Sequence, residues 1–138
     1  MIKQIKDYRF RLGGSDKKGF DQKNDTIFRL KPSKYFPNDK DELKYLMEIL
    51  VKERGNNGRF NDIDTSEITD MSGLFKDNSD FNGDISDWNV GKVTDMSSMF
   101  ENASSFDRDL NNWDTEQANT SKMFKGATKM RKRLPDWY

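Results

Sequence analysis

The sequence contains no cysteine and no histidine among its 138 residues. The absence of cysteine excludes a disulfide framework, thiolate catalysis and thiolate metal sites. The absence of histidine excludes imidazole bases and the ordinary zinc and iron sites. Apolar residues are also scarce, at 33% of the chain against 35% charged residues, and the mean hydropathy is -1.04. A chain this polar folds only if its few apolar side chains are concentrated in one core.

No targeting or membrane segment is recognisable. The segment Met1–Leu12 interleaves basic and apolar residues and lacks the apolar run of a signal peptide. We therefore expect a cytoplasmic protein without membrane contact, or a surface or secreted one if the chain is a trimmed mature form. The 24 Lys and Arg residues balance the 24 Asp and Glu residues, so the net charge indicates no partner.

An internal repeat of about 25 residues occupies the C-terminal part of the chain. Its first half occurs as FNGDISDW (81–88), FDRDLNNW (106–113) and MRKRLPDW (130–137). Its second half occurs as ITDMSGLF (68–75), as VTDMSSMF (93–100) and, with one residue deleted, as ANTSKMF (118–124). All three tryptophans therefore occupy one position of the repeat. Because a single unit of this size cannot bury its apolar face, we expect neighbouring units to stack around a continuous core.

Two periodicities lie within each unit. Apolar residues at i, i+3, i+4 and i+7 predict a short helix in the second half, as in Met96, Met99, Phe100 and Ala103. The first half, 84–90, predicts a short strand or extended turn. The predicted fold class is therefore an α/β repeat: a short leucine-rich-repeat-like solenoid with one short strand and one short helix per repeat.

Three regions are predicted along the chain. Residues 1–35 form an N-terminal extension, with short strands at 8–12 and 27–30 around a polar loop at 13–25. Residues 36–55 form a capping helix that begins at Asn38 or Asp39 and ends at Gly55. Its apolar stripe consists of Leu43, Leu46, Met47 and Leu50. Residues 56–138 carry two full repeats with partial units at each end.

The repeat motifs resemble BspA-type bacterial leucine-rich repeats of the DUF285 family, over roughly residues 36–138. The segments 68–75, 81–90 and 93–100 carry the resemblance, in the order and spacing that the family shows. The resemblance implies a repeat protein engaged in adhesion or protein binding. It implies no catalytic residues.

Charge is segregated along the chain although its sum is zero. Residues 1–35 hold 10 basic and 4 acidic residues, residues 56–128 hold 6 and 14, and residues 129–138 hold 4 and 1. Repeat-equivalent charges fall in columns. One reads Arg59, Asp84, Asp109 and Arg133, which an ion ladder between repeats explains best. Two further columns contain stacked Asp and Asn: Asp62, Asp87, Asn112 and Asp136, and beside it Asp64, Asn89 and Asp114. Turn hydrogen bonds explain both columns better than calcium does, so no metal or cofactor is predicted.

The predicted function is a non-enzymatic protein-protein interaction module whose partner is another protein. The candidate partner-binding residues are Asp62, Asp64, Glu67, Asp87, Lys92, Asn112, Arg131, Lys132 and Arg133. One alternative is an intracellular inhibitor or regulator of a nucleic-acid enzyme, or of nucleic acid itself, acting through the basic ends. Another is a trimmed bacterial surface adhesin. We expect a monomer, or a weak dimer through the C-terminal repeat edge.

Overall fold

The computed structural model describes residues 34–138. One α-helix, α1, spans Lys40–Arg54, and a 3-10 helix spans Met130–Lys132. The other described residues form turns, extended segments and isolated parallel β-bridges. The strands and polar loop predicted within residues 8–30 lie outside the described residues. Neither helix in residues 34–138 has the length and apolar character needed to cross a lipid bilayer.

Helix α1 begins and ends where its sequence signals predict. The side chain of Asp39 caps its N-terminus by accepting from the Glu42 N–H at 2.9 Å. Glu42 in turn accepts from the Asn38 N–H at 2.8 Å. Gly55 ends the helix with a φ of 88°, in the region that favours glycine. All four residues of the predicted apolar stripe are buried, so the helix packs one face against the core.

Backbone hydrogen bonds join the second half of each repeat to the next repeat. Alternate N–H groups of Met71, Gly73, Phe75 and Asp77 donate to carbonyls in the following repeat at 2.8–3.0 Å. The same ladder recurs one repeat later, from Met96, Ser98, Phe100 and Asn102 to the carbonyls of Asn119, Ser121, Met123 and Lys125. Parallel bridges between Asp70 and Asp95, and between Asp95 and Asn119, mark the register. Repeat-equivalent residues therefore lie side by side.

The segments expected to be short helices are successive turns. Between the ladder residues, the N–H groups of Leu74, Lys76 and Asn78 donate to the carbonyl three residues earlier. The ladder occupies the remaining N–H groups, so the i to i−4 bonds of an α-helix cannot form. Gly73, Ser98 and Lys122, at one repeat position, have φ values of 62°, 57° and 56°. This left-handed conformation interrupts a right-handed helix and suits the third position of a type II turn.

The first halves of the repeats make sparser backbone contacts. The Phe60 N–H donates to the Asp84 carbonyl at 2.9 Å, and the Asp84 N–H donates to the Gly58 carbonyl at 2.8 Å. The tryptophan indoles link the layers further along. Each indole N–H donates to a carbonyl of the preceding repeat: Trp88 to Phe60 at 2.9 Å, Trp113 to Ile85 at 3.3 Å and Trp137 to Leu110 at 2.8 Å.

Stacked phenylalanines run through the centre of the core. The rings of Phe75, Phe100 and Phe124, at one repeat position, are separated by 5.5 Å at each step. Phe81 and Phe106 form a second row with centroids 6.0 Å apart, and Phe81 stacks on Phe75 at 4.2 Å. All five side chains are buried. The scarce apolar residues are thus concentrated in columns, which accounts for a buried core in so polar a chain.

Candidate protein-binding surface

Asp62 is the first residue of the column that continues with Asp87, Asn112 and Asp136, and its carboxylate forms an ion pair instead of the predicted turn hydrogen bond. Arg54, in the last turn of α1, donates from Nη1 and Nη2 to the two carboxylate oxygens of Asp62, at 2.9 and 3.0 Å. The hydrogen bonds that Arg54 donates to Asp62 raise the pKa of Arg54 above its ordinary value, although burial acts to lower it. The guanidinium also lies over the Phe60 ring, 5.6 Å from its centroid. The sequence analysis did not include Arg54 among the candidate residues. The pattern that could have indicated this ion pair is a basic residue in the last turn of the helix, eight positions before an aspartate.

The neighbouring column of Asp64, Asn89 and Asp114 stabilises turns. Asp64 accepts from the N–H of Ser66 at 2.9 Å and also from its hydroxyl. Asn89 and Asp114 each accept from the N–H two residues later, at 2.9 and 3.3 Å. The prediction that turn hydrogen bonds explain this column is therefore confirmed. Asp64 serves the fold of its repeat.

The other candidate partner-binding residues within the acidic segment 56–128 lie at the surface. We define the exposed residues Glu67, Asp87, Lys92, Asn112 and Gln117 as the column surface. Lys92 Nζ lies 3.4 Å from Glu67 Oε2, with both side chains more than 60% exposed. Asp87 donates its backbone N–H to Asn61 Oδ1 at 2.9 Å, which fixes the backbone beneath its exposed side chain. The column surface therefore presents polar side chains on a backbone that the repeats hold in register.

Gln117 continues the column that begins with Glu67 and Lys92. Its side-chain amide donates to the Gly91 carbonyl in the preceding repeat at 3.3 Å. The turn beside this column is closed by the N–H of Val93 donating to the Val90 carbonyl at 3.0 Å. Asp87 and Lys92 thus lie in two successive turns, 85–88 and 90–93, each closed by an N–H donating to the carbonyl three residues earlier.

The three candidate basic residues near the C-terminus differ in whether they form an ion pair. Arg131 and Lys132 lie on the 3-10 helix and are exposed. Arg133 donates from Nε to Asp107 Oδ1 at 2.7 Å. Its repeat equivalents suggested Asp109 as its neighbour in an ion ladder, but the long side chain reaches Asp107 in that preceding repeat. At the other end of that column, Arg59 Nε lies 4.0 Å from Asp84 Oδ2.

Two aspartates between repeats have perturbed acidities. Burial acts to raise the pKa of Asp84, but hydrogen bonds from the hydroxyl and N–H of Ser86 and the nearby Arg108 outweigh it. The pKa of Asp84 therefore lies below its ordinary value. Burial likewise acts to raise the pKa of Asp70. The hydrogen bonds from Ser72 and the Lys40 ammonium, whose Nζ lies 3.5 Å from Oδ2, outweigh it, so the pKa of Asp70 is also lowered. Both carboxylates stabilise the fold in their ionised form.

Acidic side chains do not gather into a metal-binding arrangement in the described part of the chain. Within residues 34–138, no three or more acidic, histidine or cysteine side chains are placed so that they could hold one metal ion. The aspartates of the repeats instead use their oxygens on nearby N–H and hydroxyl groups, as at Asp95, which accepts from both groups of Ser97.

Comparison with known proteins identifies the family. The chain is a protein of internal repeats joined by backbone ladders, and a family model described as "Mycoplasma protein of unknown function, DUF285" matches residues 44–138. The chain therefore belongs to the DUF285 family. No curated protein and no solved structure matches it.

Proposed function

We propose that this DUF285 protein is a non-enzymatic binding module for another protein, built as a short leucine-rich-repeat-like solenoid. The observation that carries the proposal is the column surface. There, repeat-equivalent side chains project outward beside one another, as the 3.4 Å contact between Lys92 and Glu67 shows. Arrays of this kind offer extended surfaces whose side chains vary while the backbone stays constant.

The backbone beneath this surface supports the proposal. The turn bonds from the N–H groups of Trp88 and Trp113 to the carbonyls three residues earlier, and the burial of both tryptophans, hold the backbone at Asp87 and Asn112. A preorganised surface loses little conformational entropy on binding, so modest polar contacts suffice for affinity. The sequence also lacks histidine and cysteine, the commonest catalytic bases and nucleophiles.

Affinity capture from a lysate of the organism that naturally encodes this protein tests the proposed function. The wild-type protein is compared with a column-surface variant, Asp87→Lys with Asn112→Lys, and with a matched control, Lys44→Glu, on the exposed side of α1. We expect the wild type and the control to retain one protein partner in stoichiometric amount after nuclease treatment. The column-surface variant should lose it while its circular dichroism and unfolding midpoint stay unchanged.

Two results would contradict the proposal. Equal capture by the column-surface variant would remove this surface from the binding site. Loss of the captured protein after nuclease treatment, together with loss in the variant Arg131→Ser/Lys132→Ser/Arg133→Ser, would instead favour the nucleic-acid alternative, for which the two exposed cations of the 3-10 helix are the supporting feature.

A further inference from the structure

Two Asn-Gly pairs occupy equivalent positions of the repeat, Asn57-Gly58 and Asn82-Gly83. Asparagine is a thermolabile residue because its side-chain amide can lose ammonia. Glycine favours this reaction, since it has no Cβ to hinder the approach of its backbone nitrogen to the side chain of the residue before it. The structure gives the two pairs very different surroundings, so their reactivity should differ as well.

The first pair lies in the turn that follows α1, where Asn57 is exposed among the described residues. The turn is closed by one long hydrogen bond, from the Gly58 N–H to the Gly55 carbonyl at 3.2 Å. The Asn57 side chain forms one hydrogen bond within residues 34–138, in which its Oδ1 accepts from Asn82 Nδ2 at 3.2 Å. The Gly58 nitrogen is therefore tied up only by a weak turn bond.

The second pair is held between repeats. The Asn82 N–H donates to a carbonyl of the preceding repeat at 2.9 Å, and Asn82 Oδ1 accepts from the Asp107 N–H of the following repeat at 2.8 Å. Gly83, whose nitrogen would have to attack, is buried beside the rings of Phe60 and Phe81. Turning the Asn82 side chain toward Gly83 would break bonds on both sides of the layer.

Two hydrogen-bond donors contact the reacting groups of the first pair. Asn82 Nδ2 donates to Asn57 Oδ1, the oxygen that gains negative charge when the nitrogen attacks. Arg108 Nη2 donates to the Asn57 backbone carbonyl at 3.4 Å. Because that carbonyl and the Gly58 N–H belong to one peptide group, the cation favours loss of the N–H proton. Arg108 Nε also donates to the Asn82 carbonyl, at 3.0 Å, so conformational freedom is what distinguishes the two pairs.

We propose that Asn57 is a site of spontaneous deamidation, and that the packing of the repeats protects Asn82 from the same reaction. The Gly58 nitrogen gives its proton to water and forms a bond to Asn57 Cγ. The Cγ–Nδ2 bond breaks, and the departing nitrogen takes up one proton and leaves as ammonia. Water then opens the resulting succinimide ring, which leaves aspartate or isoaspartate at position 57.

The repeat already accommodates a carboxylate at this position. Asp107 is the equivalent of Asn57 two repeats later, and Arg133 donates to its Oδ1 at 2.7 Å and to its backbone carbonyl at 3.3 Å. Arg108 contacts the Asn57 carbonyl in the same way, so the aspartate product has a cation beside it. The reaction thus gives the protein a second covalent form, with one more negative charge between α1 and the first repeat.

Peptide mapping by mass spectrometry measures the two sites separately, because trypsin places Asn57 in peptide 55–59 and Asn82 in peptide 77–92. The full-length protein is incubated at mildly alkaline pH, and fragment ions locate each gain of one mass unit. We expect Asn57 to react at least about tenfold faster than Asn82, since Asn82 must first lose two or more hydrogen bonds. In guanidinium chloride, where neither pair is held by the fold, the two rates should become similar.

Arg108→Gln tests the contribution of the cation, and Lys132→Gln is the matched control, with the same charge change at the same repeat position of the last unit. Deamidation of Asn57 should slow about two- to fivefold in the first variant and keep the wild-type rate in the second. Circular dichroism checks that both variants remain folded.

Three results would overturn the proposal. Equal rates at Asn57 and Asn82 in the folded protein would show that the packing protects neither site selectively. A difference that persists in guanidinium chloride would assign the selectivity to local sequence instead of the fold. An unchanged rate in Arg108→Gln would remove the arginine from the reaction.

Discussion

Gly83 provides the sharpest test of how the repeats pack, because its environment differs from that of its repeat equivalent. A methyl group added at Gly83 would lie 2.5 and 2.7 Å from two atoms of the Phe60 ring and 2.7 Å from the Phe81 ring. The next repeat carries Arg108 at this position, so the backbone there accepts a side chain. The difference lies in the preceding layer, where Phe60 is replaced by the smaller Ile85.

We therefore expect Gly83→Ala to lower the free energy of unfolding by about 1–3 kcal/mol through overpacking. Phe60→Ile alone should cost about 1 kcal/mol or more by leaving a cavity. In the double variant, the methyl group fills part of that cavity, so the combined loss should fall short of the sum by about 0.5–3 kcal/mol. The rescue should be partial because the contact with Phe81 remains.

Urea denaturation followed by tryptophan fluorescence measures these differences. The control is Gly91→Ala, whose added methyl group meets only Asn89 Oδ1 at 3.3 Å, and which should cost less than Gly83→Ala. It should also be additive with Phe60→Ile. Equal losses for the two glycine variants, or additivity of Phe60→Ile with Gly83→Ala, would refute the proposed packing of one repeat on the next.

Three other outcomes follow from individual contacts. Trp113→Phe should lower the free energy of unfolding by about 1–3 kcal/mol in urea titrations, since it leaves the Ile85 carbonyl buried without its donor; an unchanged midpoint would contradict this. Lys122→Gly should raise the free energy of unfolding by up to about 1 kcal/mol, because glycine adopts the left-handed backbone of residue 122 without strain. Lys125→Gly, at a residue whose φ is not positive, should not raise it. The lowered pKa of Asp84 means that its carboxylate stabilises the fold fully above its unfolded-state pKa, about 3.9, and that this stabilisation disappears as pH falls through the lower folded-state pKa. Acid titrations should therefore show a shallower loss of stability for Asp84→Asn than for the wild type; identical slopes would count against the assignment.

Helix α1 and the core positions were predictable because local signals specify them. Asp39 and Gly55 are a capping residue and a helix-ending residue, and the apolar spacing between them identifies the buried face. The internal repeat made the core residues equally predictable. One alignment of three units identifies the phenylalanine and tryptophan columns, and the structure buries Phe100 and Trp113 as expected.

The turns in place of short helices were not predictable from spacing alone. Residues at i, i+3, i+4 and i+7 point inward in a helix, but Met96, Met99 and Phe100 also point inward along this series of turns. The ladder to the next repeat decides between the two, and that interaction is non-local. A signal did exist in Gly73 and Gly126, which occupy two left-handed positions of the repeat. Serine and lysine occupy the first position elsewhere, and aspartate and asparagine the second.

The sequence predicted which candidate residues lie at the surface, but not which of them form structural ion pairs. Repeat alignment identified outward-facing columns, and the structure leaves Asp87 and Lys92 exposed. It could not show that Arg54 engages Asp62, or that Arg133 reaches Asp107, because both depend on how a long side chain crosses a neighbouring layer. Such contacts depend on side-chain rotamers and packing, which an alignment of the repeats does not show.

The measurement that tests the central claim most directly is disulfide trapping between repeats, since the chain has no cysteine of its own. Residues 67 and 92 are repeat neighbours and should lie about 5 Å apart, within disulfide range, whereas residues 67 and 117 are two layers apart and should be about 10 Å away. The variant Glu67→Cys/Lys92→Cys should oxidise to an intramolecular disulfide while remaining folded, and Glu67→Cys/Gln117→Cys should not. Failure of the first pair, or equally rapid closure of the second, would contradict the stacking of equivalent residues on which the account rests.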